Sequence, residues 1–351
     1  MLQGRIARME DEYRSGMIAV VERALSGGIA GASGRGAETA SVAEDALQYD
    51  LPTRLKQRLR TPTDKIADEL VAEATSLRAF LEGRTDLPWT PQLNDPDESR
   101  HLIELLEEKT RTLQVSIATI LLNDAKNTYT ESLMRVMKIM AQTTDAPMGM
   151  PFNRLGQSIR YPLGIILYTV FICGVAANRD AVLKRVLKTP LVRRQRNERV
   201  SILNIPHYLY EARALFNEAM GQRLCEPVPQ RIRQVMSDAL GDQLGEGSEA
   251  EVFFRGEFVM ALAGIDASET GGVWPKDAPL PGLYLYFEEA HRAIEDLLED
   301  HPSWFETLYS RPVPEILALF DKNAGKAIPS GCVGAVFHRL EVSDLYKPNA
   351  E

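Results

Sequence analysis

A run of basic residues near the middle of the chain is the first group whose residue types and spacing suggest a chemical role. Seven Lys and Arg residues fall within sixteen positions, with Glu198 as the single acid among them: Lys184, Arg185, Lys188, Arg193, Arg194, Arg196 and Arg199. Each can neutralise a phosphate, which fits salt-dependent nucleic-acid binding. The aromatic residues that stack on single-stranded bases are missing from the run. We therefore predict an interaction patch for an acidic protein surface, with nucleic acid as the less favoured partner.

Residues that could form metal or nucleophile sites lack the further groups that such sites need. Glu288 and His291 form one Glu-x-x-His pair, whereas a carboxylate-bridged di-metal bundle needs two. Cys332 lies in a glycine-flanked stretch six residues before His338, without a third residue to orient a base. The glycine-rich stretch 28–36 lacks the Lys-Ser/Thr pair of a phosphate-binding loop. The sequence therefore predicts no catalytic, cofactor-binding or metal-binding residue.

Charge is divided unevenly along the chain. The net charge is −9. Residues 235–351 carry 21 acids and 8 bases, a net charge of −13, and the remaining 28 acids and 32 bases give residues 1–234 a net charge of +4. Such a division can drive contact with a partner or self-association. It also fits two regions that differ in their solvated surfaces.

Length and composition indicate a folded chain. The 351 residues are 44 % hydrophobic and 25 % charged, which excludes a wholly disordered chain, a collagen-like chain and a small disulfide scaffold. Cys173, Cys225 and Cys332 are odd in number and widely spaced, which favours a reducing compartment. The N-terminal sequence lacks the pattern of a secretory signal peptide. We therefore expect a cytoplasmic protein.

Apolar residues recur at intervals of three and four along most of the chain, as on the buried face of a helix. The run 332–340 is the only notable strand-like segment. The expected fold is therefore all-α, a multi-helix bundle. We expect an N-terminal helical region over residues 1–150, with a linker rich in Gly, Ala and Ser at 27–44, and a C-terminal helical bundle over residues 151–351.

One uncharged segment, residues 161–178, is rich in Ile, Leu, Val and Phe. Its length is at the lower limit for a membrane-spanning helix, about 17–25 residues. It contains Pro162, Gly164 and Gly174, and basic residues flank it on both sides, so they indicate no membrane orientation. A helix that is apolar all round also fits the centre of a large bundle. We predict a buried central helix rather than a membrane span.

Two motifs in the second half of the chain carry a family resemblance. The first is Arg160-Tyr-Pro-Leu-Gly-Ile-Ile-Leu-Tyr, followed by Gly174-Val-Ala-Ala-Asn-Arg; the second is Arg255-Gly-Glu-Phe-Val-Met-Ala-Leu-Ala, followed by Val273-Trp-Pro. Over about residues 150–320 the chain resembles the helical C-terminal region of bacterial anti-phage defence and signalling proteins. In those proteins a sirtuin-like, Toll/interleukin-receptor-like or NTPase effector domain precedes it. The resemblance implies a sensing or assembly module and carries over no catalytic residue.

Two functions are therefore expected from the sequence. The first is a non-enzymatic helical assembly or sensor module that binds a protein partner or itself, in bacterial anti-phage defence. It follows from the helical pattern, the charge division and the resemblance. The alternative is an enzyme or effector subunit that acts on NAD or nucleotides through dispersed residues. The alternative is based only on the effector domains that accompany the resembling regions.

Overall fold

The structure is a computed structural model that describes residues 64–83, 96–142, 158–193, 198–210, 212–244, 249–268, 282–285, 287–300, 302–324 and 342–346. By internal contacts the chain divides into residues 1–50 and residues 51–351, and all described residues belong to the second unit. The predicted linker at 27–44 and the strand-like run at 332–340 lie outside the described residues.

Helices dominate the described part of the chain, which confirms the all-α class. They are α1 (Asp64–Gly83), α2 (Pro96–Asn123), α3 (Thr130–Ala141), α4 (Tyr161–Ala176), α5 (Asp180–Leu187), α6 (Ile205–Tyr210), α7 (Arg213–Met220), α8 (Pro227–Leu244), α9 (Glu249–Ser268), α10 (Glu288–Asp300), α11 (Ser303–Leu308) and α12 (Val313–Asn323). Three single 3₁₀ turns cover Ile202–Asn204, Leu283–Leu285 and Val342–Asp344.

Helix α4 contains most of the uncharged segment, and it is buried along its whole length. Residues 161 to 175 are all buried, so the helix has no solvent-facing side. It packs against α2 and α9, which carry much of the surrounding apolar surface. Pro162 is accommodated because a proline in the first helical turn sacrifices no intrahelical hydrogen bond. No helix among the described residues combines the length and the apolar character that a membrane crossing requires.

The contact between α4 and α9 depends on a glycine. A Cβ atom placed on Gly256 would lie 2.6 Å from the Cα of Ile172, which is closer than real Cβ contacts allow. The absence of a side chain at Gly256 therefore allows the two helix backbones to approach closely. Gly174 is different, because a Cβ there would meet only the flexible end of Leu183, at 2.9 Å.

The apolar helix ends within the uncharged segment. Helix α4 ends at Ala176 and α5 begins at Asp180, with Asn178 between them at φ 55°. Asparagine adopts this left-handed conformation more readily than most residues. The Asn178 side chain also accepts a hydrogen bond from Trp304 Nε1, at 2.8 Å. The turn between α4 and α5 is thus accompanied by a long-range contact, which the local sequence does not predict.

A short antiparallel hairpin follows α5 and was not expected. Strand β1 (Pro190–Arg193) pairs with β2 (Glu198–Ser201), with Leu191 opposite Val200. Pro190 cannot continue a helix, and the β-branched residues after it favour extended backbone. The hairpin is too small to alter the helical class.

The described helices on either side of residue 150 contribute to one continuous hydrophobic core. A polar link accompanies it: Arg231 of α8 donates from Nε and Nη2 to the two oxygens of Glu107 on α2, at 2.8 and 2.7 Å. The Tyr161 hydroxyl, at the start of α4, donates to the same carboxylate at 2.9 Å. A division of the chain at residue 150 stays a prediction.

Candidate functional site

The predicted basic patch begins on α5, where its first members are paired within the chain. Lys184 Nζ lies 3.2 Å from the Asp180 carboxylate and donates to the Thr307 hydroxyl at 2.8 Å. Arg185 is exposed and forms an ion pair with Glu131 of α3. These contacts tie α5 to its neighbours. They also pair part of the positive charge with groups of the same chain, so that this part is less accessible to a partner.

The remaining members of the patch are only partly described. Lys188 is exposed immediately after α5. The hairpin register places Arg193 opposite Glu198 in the neighbouring strand. Arg199 lies on the second strand of the hairpin. Arg194 and Arg196 lie outside the described residues, so the seven-residue patch stays a prediction.

The other sequence candidates form no site among the described residues. Glu288 is exposed on α10 and His291 is half-buried one turn later, and no group of three or more metal-ligating side chains is found among the described residues. Cys173 is a free, fully buried thiol, and burial raises its pKa to about 12. Cys225 is disulfide-bonded, a pairing that the wide cysteine spacing did not suggest. Cys332 and the glycine-rich stretch 28–36 lie outside the described residues.

The structure instead brings together two buried carboxyl groups that the sequence analysis did not single out. The first is Glu226, which immediately precedes α8 and is 4 % exposed. An acid at this position ordinarily accepts hydrogen bonds from the first backbone N–H groups of the helix. Here Pro227 and Pro229 remove two of those donors. The Glu226 Oε1 atom is buried without a hydrogen-bond partner among the described residues.

The second carboxyl group belongs to Glu257 on α9, which is 1 % exposed. Its Oε2 atom accepts the backbone N–H of Tyr284 at 3.0 Å, and the hydroxyl of Tyr168 lies 3.4 Å from its Oε1. Burial raises the pKa of Glu257 to about 8, and these hydrogen bonds offset the effect only in part. Glu257 therefore keeps its proton at neutral pH.

The two carboxyl groups influence each other. Burial raises the pKa of Glu226 well above its ordinary value, and the Glu257 charge raises it further. Arg213 of α7 acts in the opposite direction, because its positive charge favours the ionised form of Glu226. Two like charges in a low-dielectric interior repel strongly. The pair is therefore a site that retains at least one proton under ordinary conditions.

A small cavity adjoins Glu226. It measures about 10 Å³ and is lined by Glu226, Arg213, Tyr168, Tyr210 and neighbouring apolar residues. That volume is close to the minimum of about 10–15 Å³ that a single water molecule needs. The Arg213 guanidinium lies 4.6 Å above the ring centre of Tyr210, which holds it at the cavity. The arrangement can bind a proton and a water molecule, and its size does not suit an organic substrate.

The burial of Glu257 could have been predicted from the sequence. From Gly256 to Ile265, Glu257 is the only charged residue in an otherwise apolar stretch of helix. A lone acid in such a stretch must be buried if the helix is packed on all sides. No comparable signal marks Glu226, because its burial results from contacts with α4, α6 and α7.

Comparisons with models of protein families, with curated protein sequences and with solved structures find no match to this chain.

Proposed function

We propose that this chain is a non-enzymatic helical assembly or sensor module that binds a protein partner or a second copy of itself. Following the family resemblance, we place it in bacterial anti-phage defence. The observation that carries the proposal is the separation of charge on the surface of the helical unit.

The acidic side of the surface is concentrated on α10. Within thirteen residues this helix exposes five acids: Glu288, Glu289, Asp296, Glu299 and Asp300. Two ion pairs that this helix makes within the chain have long N···O distances. Arg255 lies 3.8 Å from the carboxylate of Asp296 and 3.6 Å from that of Asp300. Exposed pairs of this kind contribute little stability, about 0–1 kcal/mol. The face therefore keeps a negative potential that can attract a basic partner.

The basic side is at the end of α5, where Arg185 is exposed on the helix and Lys188 is exposed immediately after it. Opposite charges on two faces of one chain suit a contact in which a basic face meets an acidic one. A contact of this type weakens as salt rises, because the Debye length falls from about 30 Å at 0.01 M to about 8 Å at 0.15 M. Salt dependence is thus a direct property to test.

The experiment combines light scattering with affinity capture at low and at physiological salt. A double variant, Glu288→Lys with Glu299→Lys, reverses the charge of the α10 face. A matched control, Glu98→Lys with Glu104→Lys, makes the same change at exposed positions on α2. We expect the wild type and the control to self-associate or to retain one specific partner at low salt. We expect the α10 variant to lose that association.

The proposal is overturned if the wild type stays monomeric at both salt concentrations and retains no partner. It is also overturned if the α2 control loses association as completely as the α10 variant, because the α10 face would then have no special role. Circular dichroism of all three proteins establishes that each is folded before the comparison is made.

A second candidate function is an enzyme or effector subunit acting on NAD or nucleotides; the cavity beside Glu226 is too small for either substrate, so the shifted pKa of Glu257 is its one support. Buried carboxyls with strongly shifted pKa values are enriched at catalytic sites, and Glu257 has such a shift. Incubation with NAD and with ATP, followed by product analysis, tests this function. Turnover that Glu257→Gln abolishes supports the enzyme. Absence of turnover in the wild type rules out this second function.

A further inference from the structure

Glu226 lies where the start of α8 meets three other helices. The cavity beside it is lined by Tyr168 of α4, Leu209 and Tyr210 of α6 and Arg213 of α7. The Glu226 backbone carbonyl accepts the N–H of Gln230 at 3.2 Å, so a displacement of Glu226 would disturb the first turn of α8. The position of this side chain is thus coupled to the start of the helix.

The segment before Glu226 is fixed up to Leu224. The side chain of Asn217 on α7 accepts the N–H of Leu224 at 2.8 Å and donates to its carbonyl at 3.1 Å. Gly221, at φ 62°, ends α7 and turns the chain toward this anchor. A movement of Glu226 is therefore confined to the residues after Leu224 and to the first turn of α8.

A candidate charge partner for the Glu226 carboxylate lies at the cavity. Arg213 is the positively charged group that faces it, and its guanidinium is held over the ring of Tyr210. The charged and titratable groups around the pair come from five elements: Tyr168 on α4, Tyr210 on α6, Arg213 on α7, Arg233 on α8 and Tyr284 in the Leu283–Leu285 turn. An ionised Glu226 is attracted to Arg213 and repelled by an ionised Glu257.

We infer that Glu226 and Glu257 form a proton-operated latch that holds the start of α8 against α4. While the pair keeps a proton, Glu226 stays in the interior. When both carboxyls ionise, Glu226 is drawn toward Arg213 and away from Glu257, and the first turn of α8 loosens. This latch is independent of the proposed function, because it concerns only the interior of the helical unit.

Amide hydrogen exchange measured by mass spectrometry tests the latch, with rates corrected for the intrinsic effect of pH. The readout is protection of the peptide that covers the first two turns of α8, relative to α10. From about pH 6 to about pH 9 we expect wild-type protection to fall roughly tenfold or more, because one pKa unit corresponds to a tenfold change in population. In Glu226→Gln the fall should stay within about twofold, because an amide cannot ionise.

Two further variants make the test specific. Asp238→Asn changes an exposed acid on the same helix and should behave as the wild type does. Glu257→Gln should keep α8 protected at high pH, because Glu226 then faces no second negative charge. This variant replaces Glu226→Gln in the test if Glu226→Gln does not fold. The latch is overturned if wild-type protection at α8 is independent of pH. It is equally overturned if α8 and α10 lose protection together, or if both Gln variants respond to pH as the wild type does.

Discussion

Replacing Glu257 with glutamine should make the protein more stable at neutral pH. The unfolded carboxyl titrates near its ordinary pKa of 4.5, whereas burial raises the folded pKa to about 8. Between these values the unfolded state releases a proton that the folded state keeps, so the free energy of unfolding falls as pH rises. Below 4.5 both states hold the proton and the penalty disappears. Above 8 both have released it and the penalty is constant.

The size of the penalty follows from the difference in pKa. The folded pKa of about 8 lies about 3.5 pH units above the ordinary value of 4.5, and each unit corresponds to about 1.36 kcal/mol. The full penalty is thus on the order of 3–5 kcal/mol. A glutamine at this position keeps an oxygen to accept the N–H of Tyr284 and an amide group that can donate to the hydroxyl of Tyr168. Glu257→Gln therefore removes the ionisable group and keeps its packing.

Urea unfolding followed by far-UV circular dichroism, at half-unit steps from about pH 4 to about pH 9, measures the effect. We expect the free-energy difference between Glu257→Gln and the wild type to grow in favour of the variant from pH 4.5 to pH 8 and then to level off. Parallel pH curves for the two proteins would refute the reasoning, since Glu257 would then titrate alike in both states. A less stable variant at pH 8 would refute it as well.

Four further substitutions should alter stability by amounts that urea unfolding can resolve. Gly256→Ala should lower the free energy of unfolding by about 1–3 kcal/mol, because its methyl group clashes with α4. Gly174→Ala should lower it less, because only the flexible end of a leucine must move. Equal losses for the two variants would contradict this. Glu107→Ala should cost about 3–5 kcal/mol because Arg231 is left half-buried without its partner, and a loss below about 1 kcal/mol would contradict that estimate. Trp304→Phe should cost about 1 kcal/mol through the lost indole hydrogen bond, which an unchanged midpoint would contradict.

The helical class and most helix positions could be predicted from the sequence because they are encoded locally. Apolar residues three and four apart mark the buried faces of α2 and α3. Prolines and glycines mark several helix ends, as Gly221 does after α7. These signals act over a few residues and need no knowledge of the rest of the chain.

The break at Asn178 and the burial of Glu226 depend on residues that are distant in sequence. Trp304 lies 126 positions beyond Asn178, and Glu226 is buried by side chains from α4, α6 and α7. Periodicity and local propensity carry no information on such contacts. The spacing of the basic run likewise does not reveal that Lys184 and Arg185 have partners on α11 and α3.

The burial of α4 has a consequence for the order in which the chain is made. Helix α4 ends at residue 176, and α9, which covers one side of it, is complete only at residue 268, 92 residues later. At a synthesis rate of about 5–20 residues per second, this interval lasts roughly 5–18 s. During that time a fully apolar helix has only the earlier helices to shield it. Production of the protein should therefore depend on chaperones that bind nascent chains, and truncation before α9 should yield insoluble material.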